Sequence, residues 1–328
     1  MRIKHKITAA AGLLGALVFK KKAPLIVGWE LTNRCNKRCG YCRIWDNKTV
    51  ELDTGVVFSI IDQLAKCGTQ AVNLTGGEPL LRDDIGTIID CLAKKNIYVR
   101  LNSNGALFPG RLRELRKLDE VKLSLEGTEQ NHDIIRGANS YREVITAANL
   151  ARDNGIRITF NTVLTKYNLG DIDFVLYTAR MFGARVTFQP ATQWILGTNE
   201  INPFVPEDDR YKKTINTLRI KKKKNENIRN SMVCLGHLYS WPQPRAVLCN
   251  GRLISCRISA NGDVMSCSHY RQHSKSVNTE VNSAVVDFKT AFNMLPALNC
   301  NNCWCADRIE ANCLVSLNLN SIWNALYL

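Results

Sequence analysis

From residue 24 to residue 190 the chain alternates short apolar, β-branched runs with longer stretches whose apolar residues recur every third or fourth position. The runs at 24–31, 71–74, 97–101, 121–125, 156–163 and 186–188 read as buried strands. Between them, 54–67, 83–95, 109–118, 141–154 and 169–182 carry helical periodicity. Gly68, Gly155 and Gly183 stand where a helix can end in a left-handed residue. Strand and helix in alternation predict a parallel sheet, either open and wound or rolled into a partial barrel, because parallel neighbours need a crossover and the helices provide it. In both forms ligands gather at the carboxyl ends of the strands.

The polar residues follow that rule. The first strand runs into the loop 33–42, whose three cysteines are spaced as Cys35-x3-Cys39-x2-Cys42. Core packing is a poor account of three thiols beside Asn36, Lys37 and Arg38. Disulfides would leave one thiol over. Structural zinc would want a fourth ligand, and the nearest histidines, His5 and His132, are remote in sequence. A cubane iron-sulfur cluster can be wrapped by such a loop, and three ligands for four irons leave one iron open to another molecule. The second strand ends in Thr75-Gly76-Gly77-Glu78-Pro79, the third in Asn102-Ser103-Asn104-Gly105, and the fourth carries Ser124 and Glu126-Gly127. Paired glycines let backbone approach a ligand closely, and Glu78 adds an acceptor suited to an ammonium. Turn formation alone would explain each loop singly; the four together make a ligand bed.

Length and composition add limits. The 328 residues, 45% of them hydrophobic, allow one large α/β domain with a smaller appendage. Thirteen cysteines in so long a chain suit a reducing cytoplasm better than a small secreted disulfide scaffold. Lys and Arg outnumber Asp and Glu by 44 to 29, a formal charge of +15 that favours an anionic partner, be it nucleic acid, a membrane surface or an acidic substrate. Residues 1–23 form a basic and apolar N-terminal segment in which 7–19 are too few to cross a bilayer as a helix. An interfacial helix lying on anionic headgroups and a helix packed on the domain both fit.

Beyond residue 190 the alternation fades into a connector, 191–233, and then a cysteine-rich region, 234–328. There Cys249 is followed by Cys256, an Asn261-Gly262 hairpin turn and Cys267, and later by Cys300-x2-Cys303, Cys305 and Cys313. Cys67 and Cys91 lie in helical apolar patterns and read as core.

With Cys35-x3-Cys39-x2-Cys42 after one strand and Gly76-Gly77-Glu78-Pro79 after the next, residues 24–190 resemble the radical S-adenosylmethionine (SAM) superfamily. That resemblance implies a partial (β/α)6 barrel with a 4Fe-4S cluster on the three cysteines, the open iron chelated by the methionine end of SAM. It implies one-electron cleavage of the sulfonium to a 5′-deoxyadenosyl radical that takes hydrogen from substrate. It places the SAM amine at Gly76, Gly77 and Glu78, the adenine beside Tyr41, and ribose or carboxylate contacts at Asn104, Ser124, Asn161 and Arg136. The later cysteines resemble SPASM and twitch auxiliary-cluster domains, which implies ligands Cys249, Cys267, Cys300 and Cys303, with Cys256, Cys305 and Cys313 in reserve. Only one such cluster is expected, because the spacing departs from the full SPASM pattern after Cys303.

The expected activity is that of a radical oxidoreductase of the maturase type, in the cytoplasm or at the membrane surface, acting on a peptide, a protein or a lipid-like molecule. A donor such as flavodoxin or ferredoxin would reduce it. An RNA-modifying radical enzyme is the alternative that the charge raises, although aromatic residues do not interleave with the basic runs. A zinc-binding nucleic-acid or scaffold protein is the non-enzyme alternative. Substrate contacts are expected from Gln189, Gln193 and Trp194.

Overall fold

A computed structural model describes residues 12, 15, 22–243, 249–267, 281–297 and 303–326. The N-terminal apolar stretch, apart from Gly12 and Gly15, and Cys300 lie outside the described residues.

Six strands follow one another in chain order: β1 (Ile26–Thr32), β2 (Ala71–Gly76), β3 (Tyr98–Ser103), β4 (Glu120–Ser124), β5 (Arg157–Leu164) and β6 (Arg185–Pro190). Each pairs parallel with the next. This is the partial (β/α)6 barrel. The crossovers include α1 (Thr54–Lys66), α2 (Ile85–Lys94), α3 (Phe108–Arg111), α4 (Glu129–Arg136), α5 (Ser140–Asp153) and α6 (Ile172–Met181). Gly68, Gly155 and Gly183 take positive φ at the ends of α1, α5 and α6, as the sequence predicts, and Asn96 does the same after α2. The helix expected over 109–118 is only one α turn followed by a 3-10 turn, Leu112–Leu115. There the Arg111 guanidinium leaves the helix surface to donate to the carbonyls of Arg82 and Asp83.

Successive strand residues face opposite ways, which sorts the sheet into two environments. Val27, Trp29 and Leu31 of β1, Val72 and Leu74 of β2 and Val99 and Leu101 of β3 are buried in one core with Val57, Ile60, Ile61 and Leu64 of α1 and Ile88, Ile89 and Leu92 of α2. Each such side chain contributes ~1.5–3 kcal/mol. The opposite face, Gly28, Glu30, Asn73, Thr75, Arg100, Asn102, Lys122, Ser124, Asn161, Thr187 and Gln189, lines a cavity of about 1060 Å³. The barrel therefore has an apolar shell and a polar lumen.

The cysteine-rich region does not build a separate sheet. β7 (Ser255–Ile258) pairs parallel with the free side of β1, and β8 (Asp263–Met265) and β9 (Val281–Asn282) continue antiparallel. Among the described residues the order is β6-β5-β4-β3-β2-β1-β7-β8-β9. The predicted Asn-Gly turn joins β7 to β8, with Gly262 at φ +91 and Ser259 N–H on Asp263 O. The connector adds α7 (Asp208–Lys223) and α8 (Met232–Leu238), and the last part α9 (Phe288–Met294), α10 (Ala306–Val315) and α11 (Leu319–Leu326). Ser231 and Asp287 cap α8 and α9 by accepting from the N–H groups of Cys234 and Thr290.

α10 bridges the gap between β6 and β7. Its Ala306 N–H donates to Gln189 on β6 (3.3 Å), and Arg308 donates to Ser255 Oγ on β7 (2.6 Å). Between these anchors Asp307 meets Lys122 of β4 at 2.8 Å. The helix thereby walls the open side of the barrel.

Candidate active site

The cysteine loop is held by backbone before any side chain acts. Gly77 N–H donates to Thr32 O and Glu78 N–H to Arg34 O, each at 2.8 Å. A Cβ on Gly76 would lie 2.1 Å from Thr32 O, and one on Gly77 2.2 Å from Arg34 O. Glycine is thus required for the second loop to lie on the first, with Gly76 also at φ +132. Arg82 locks the same corner, donating to the carbonyls of Leu31 and Leu52 and to Asp84. A third contact comes from Asn104, whose amide donates to Asn36 Oδ1 at 2.8 Å.

Glu78, the expected ammonium acceptor, lies between the ends of β2 and β3. Its carboxylate is fully buried and absent from the cavity wall, where Gly76, Gly77, Ser103 and Asn104 appear instead. It accepts from Ser103 Oγ (3.0 Å), Asn104 N–H (2.9 Å) and Leu80 N–H (3.3 Å), so it ties the ends of β2 and β3 together. Burial pushes its pKa up to about 7 against those donors.

Tyr41 and Arg136 belong to one buried network with Glu126, a residue the sequence placed at a strand end without a role. Glu126 accepts from Tyr41 Oη (2.9 Å), Arg136 Nε (2.7 Å) and Val163 N–H (2.7 Å). The Arg136 guanidinium also bonds Tyr41 Oη and lies 3.8 Å from Cys39 Sγ. Burial works against its charge, but Tyr41, Glu126 and Cys39 more than offset this and hold its pKa well above the usual value. His132 completes the support, its Nδ1 accepting from Glu126 N–H at 3.1 Å, while burial lowers its pKa to about 3. Ser124 and Asn161 are register partners on β4 and β5, and both face the cavity.

Cys35, Cys39 and Cys42 open on that cavity together. Burial pushes the Cys42 thiol up to about 12, so a cationic group is needed to hold it as thiolate. The segment 192–205 lies over the loop. Leu196 bridges Cys42, Arg43 pairs with Glu200 (2.6 Å), and the Phe204 ring packs on Gly40, where a Cβ would come within 2.0 Å of it. Gln189 lines the main cavity, Gln193 lines a smaller adjoining one of about 80 Å³, and Trp194 instead bridges Ile201 within the segment.

The second cysteine group is assembled by β8 and the start of α10. Cys303 is desolvated and has Cys267, Cys305, Arg308 and Cys249 as its electrostatic neighbours. Cys267 and Cys305 face the main cavity. Of the reserves, Cys256 is buried in the core near Cys67 while its residue also borders the main cavity, and Cys313 packs near Glu310 and Ser321. Among the described residues no set of three or more His, Cys, Asp or Glu side chains is placed for a single metal ion. The donors at 35, 39 and 42 are all sulfur, and their open side is the glycine-lined cavity, which suits a multinuclear cluster with a vacant coordination site.

Residues 29–176 match the Radical SAM superfamily. The match takes in a little under half of the chain. Over 184 residues the chain is 32% identical to mycofactocin maturase MftC of Mycobacterium ulcerans, covering 54% of this chain and 50% of that one. It is 29% identical over 210 residues to the PqqA peptide cyclase of Gluconobacter oxydans, covering 61% and 59%. The chain thus spans about half the length of the curated relatives it matches. Streptococcus suis SuiB bound to its precursor peptide SuiA shares the fold, with a TM-score of 0.67 at 15% identity over 86% of this chain and 68% of that one. The matched residues include the cysteine loop, the glycine loop and β2 to β5, with β1 from Trp29 onward.

Proposed function

We propose that this protein is a peptide-modifying radical SAM maturase. Cys35, Cys39 and Cys42 would hold a 4Fe-4S cluster, with SAM bound against Gly76, Gly77, Asn104, Ser124 and Asn161 and the adenine beside the Tyr41 ring. Cys249, Cys267 and Cys303 would hold an auxiliary cluster with Cys300 or Cys305. When bound, these groups supply reductive cleavage of SAM and abstraction of hydrogen from substrate. The chain's own residues orient and enclose: the glycine loop fixes the cysteine loop, Arg136 keeps a positive charge at Cys39, and α10 walls the lumen from water.

One observation carries this reading. The cysteine loop, the paired glycines and the two C-terminal thiols Cys267 and Cys305 line a single cavity. A substrate in it would lie between two cysteine groups. The likeness to MftC and to PqqA peptide cyclase supports a peptide as that substrate. A soluble donor of the flavodoxin or ferredoxin kind would deliver the electron. Among the described residues no helix is long and apolar enough to cross a membrane. Anaerobically reconstituted protein given dithionite and SAM should release 5′-deoxyadenosine; none above the rate of the Cys35→Ala variant would end the proposal.

A further inference from the structure

Around the C-terminal cysteines hydrogen-bond donors outnumber the acceptors that meet them. Arg308 of α10 reaches both β7 and the end of β8: one terminal nitrogen donates to Ser255 Oγ at 2.6 Å and the other to Ser266 O. Both acceptors are neutral, and its buried Nε has no partner. The acids of the same helix are engaged elsewhere, Asp307 with Lys122 at 2.8 Å and Glu310 with Ser231 N–H at 2.6 Å. Arg257, the other cation beside Cys267 and Cys305, has Glu30 at 3.0 Å. Among the described residues Arg308 therefore makes no ion pair.

Two further donors stand with it. Asn312, one turn further along α10, is buried, and its Oδ1 accepts from Gly251 N–H at 2.6 Å. That bond fixes which end of the amide is oxygen, and the Nδ2 that remains is unpartnered. Ser266 is buried, and its Oγ is unpartnered too. A Cβ on Gly251 would lie 3.0 Å from both Arg308 Cζ and Asn312 Oδ1, so the chain after Cys249 rests on these two side chains at a glycine.

Each of the three is tied to a cysteine. Ser266 precedes Cys267, the Gly251 held by Asn312 follows Cys249 by two residues, and Arg308 acts electrostatically on Cys303. Ser266, Arg308, Cys267 and Cys305 line one cavity. The charge of Arg308 also reaches Cys256, but burial pushes that thiol up to about 12, so it stays neutral and supplies no counter-charge. A buried cation and buried donors cost free energy unless an anion or an acceptor meets them. A centre built from thiolates and sulfides is such an anion, and its sulfurs accept hydrogen bonds.

We propose that Arg308, Ser266 and Asn312 form the donor shell of the C-terminal sulfur centre, hydrogen-bonding its sulfurs and raising its reduction potential. They act on the centre through its sulfurs and are positioning residues. Positive charge and polar donors stabilise the reduced, more negative state, which disposes the centre to accept an electron. That the centre is an iron-sulfur cluster rests on the proposed function; that these donors call for an anion does not.

The full-length protein with Cys35, Cys39 and Cys42 replaced by Ala, reconstituted with iron and sulfide, carries the C-terminal centre alone. Its midpoint potential is read from the electron paramagnetic resonance signal as dithionite and mediators lower the potential stepwise. Arg308→Met should shift the equilibrium toward the oxidised form at least tenfold, ~59 mV for one electron. Ser266→Ala should shift it the same way by less, and Lys213→Met, which removes an exposed cation of α7, should change nothing. A midpoint unchanged in Arg308→Met, or lowered equally in Lys213→Met, overturns the proposal. Where Arg308→Met holds no iron, Ser266→Ala decides: a lowered midpoint supports the donor shell, and an unchanged one means that water meets the donors and overturns it. Iron retained at an unchanged potential refutes this inference alone, whereas a parent without iron refutes the auxiliary centre and this inference with it.

Discussion

Glu78 and His132 are buried a few residues from the chemistry, and they titrate in opposite senses. Glu78, raised from 4.5 to about 7, binds its proton more tightly in the native state. Its contribution is complete below pH 4.5 and is lost as pH rises through 7. His132, lowered from 6.5 to about 3, does the reverse: its contribution is complete above pH 6.5 and is lost as pH falls toward 3. Between 4.5 and 6.5 the two slopes, each up to about 1.4 kcal/mol per pH unit, oppose one another. Glu78→Gln removes one of them. Denaturant melts of this variant should lose stability on acidification below pH 6.5 more steeply than the parent; parallel curves would show that Glu78 is ionised throughout. The identity of these residues was legible in the sequence, but their direction was not. A Gly-Gly-Glu motif says that a carboxylate follows two glycines, whereas Ser103 and Asn104, a strand later, supply the donors that it meets.

The element that most affects the cluster loop is the segment 192–205. Phe204 fills the space above Gly40, and Leu196 continues the backbone pairing of Cys42. Gly40→Ala should displace the loop at a cost of ~1–3 kcal/mol through overpacking. It should also lower iron incorporation by the loop, and Phe204→Ala in the same chain should restore both. Iron content and melting temperature check this; loss of iron without rescue would mean that Gly40 acts through its own backbone. The six parallel strands could be read from sequence because short β-branched runs recur between helical stretches of regular spacing. The contacts of 192–205 could not, because one bridge and one ring on a glycine leave no periodicity. β8 and β9, three and two residues long, fall below any pattern, and only the Asn261-Gly262 turn announced them.

At the scale of the molecule, two cysteine groups on one cavity are independent donors tied by a common sheet. Replacing Cys35, Cys39 and Cys42 together with Ala should therefore abolish 5′-deoxyadenosine formation and leave iron on the C-terminal group. Iron assay and absorbance measure this, and a colourless, iron-free variant would contradict the auxiliary site. The charge of +15 proved a coarse guide, since part of it faces inward as Arg100, Arg157, Arg185 and Arg229, where composition cannot place it.

The pairing of β7 with β1 also constrains synthesis. Strand β1 is made first and receives one of its two neighbours only after Ser255–Ile258 has been translated. At roughly 5–20 residues per second, its outer edge waits on the order of 10–50 s on the ribosome. Throughout that interval the α10 wall is also missing, because Ala306–Val315 is translated later still. The sheet therefore cannot be completed at β1 until most of the chain has been made.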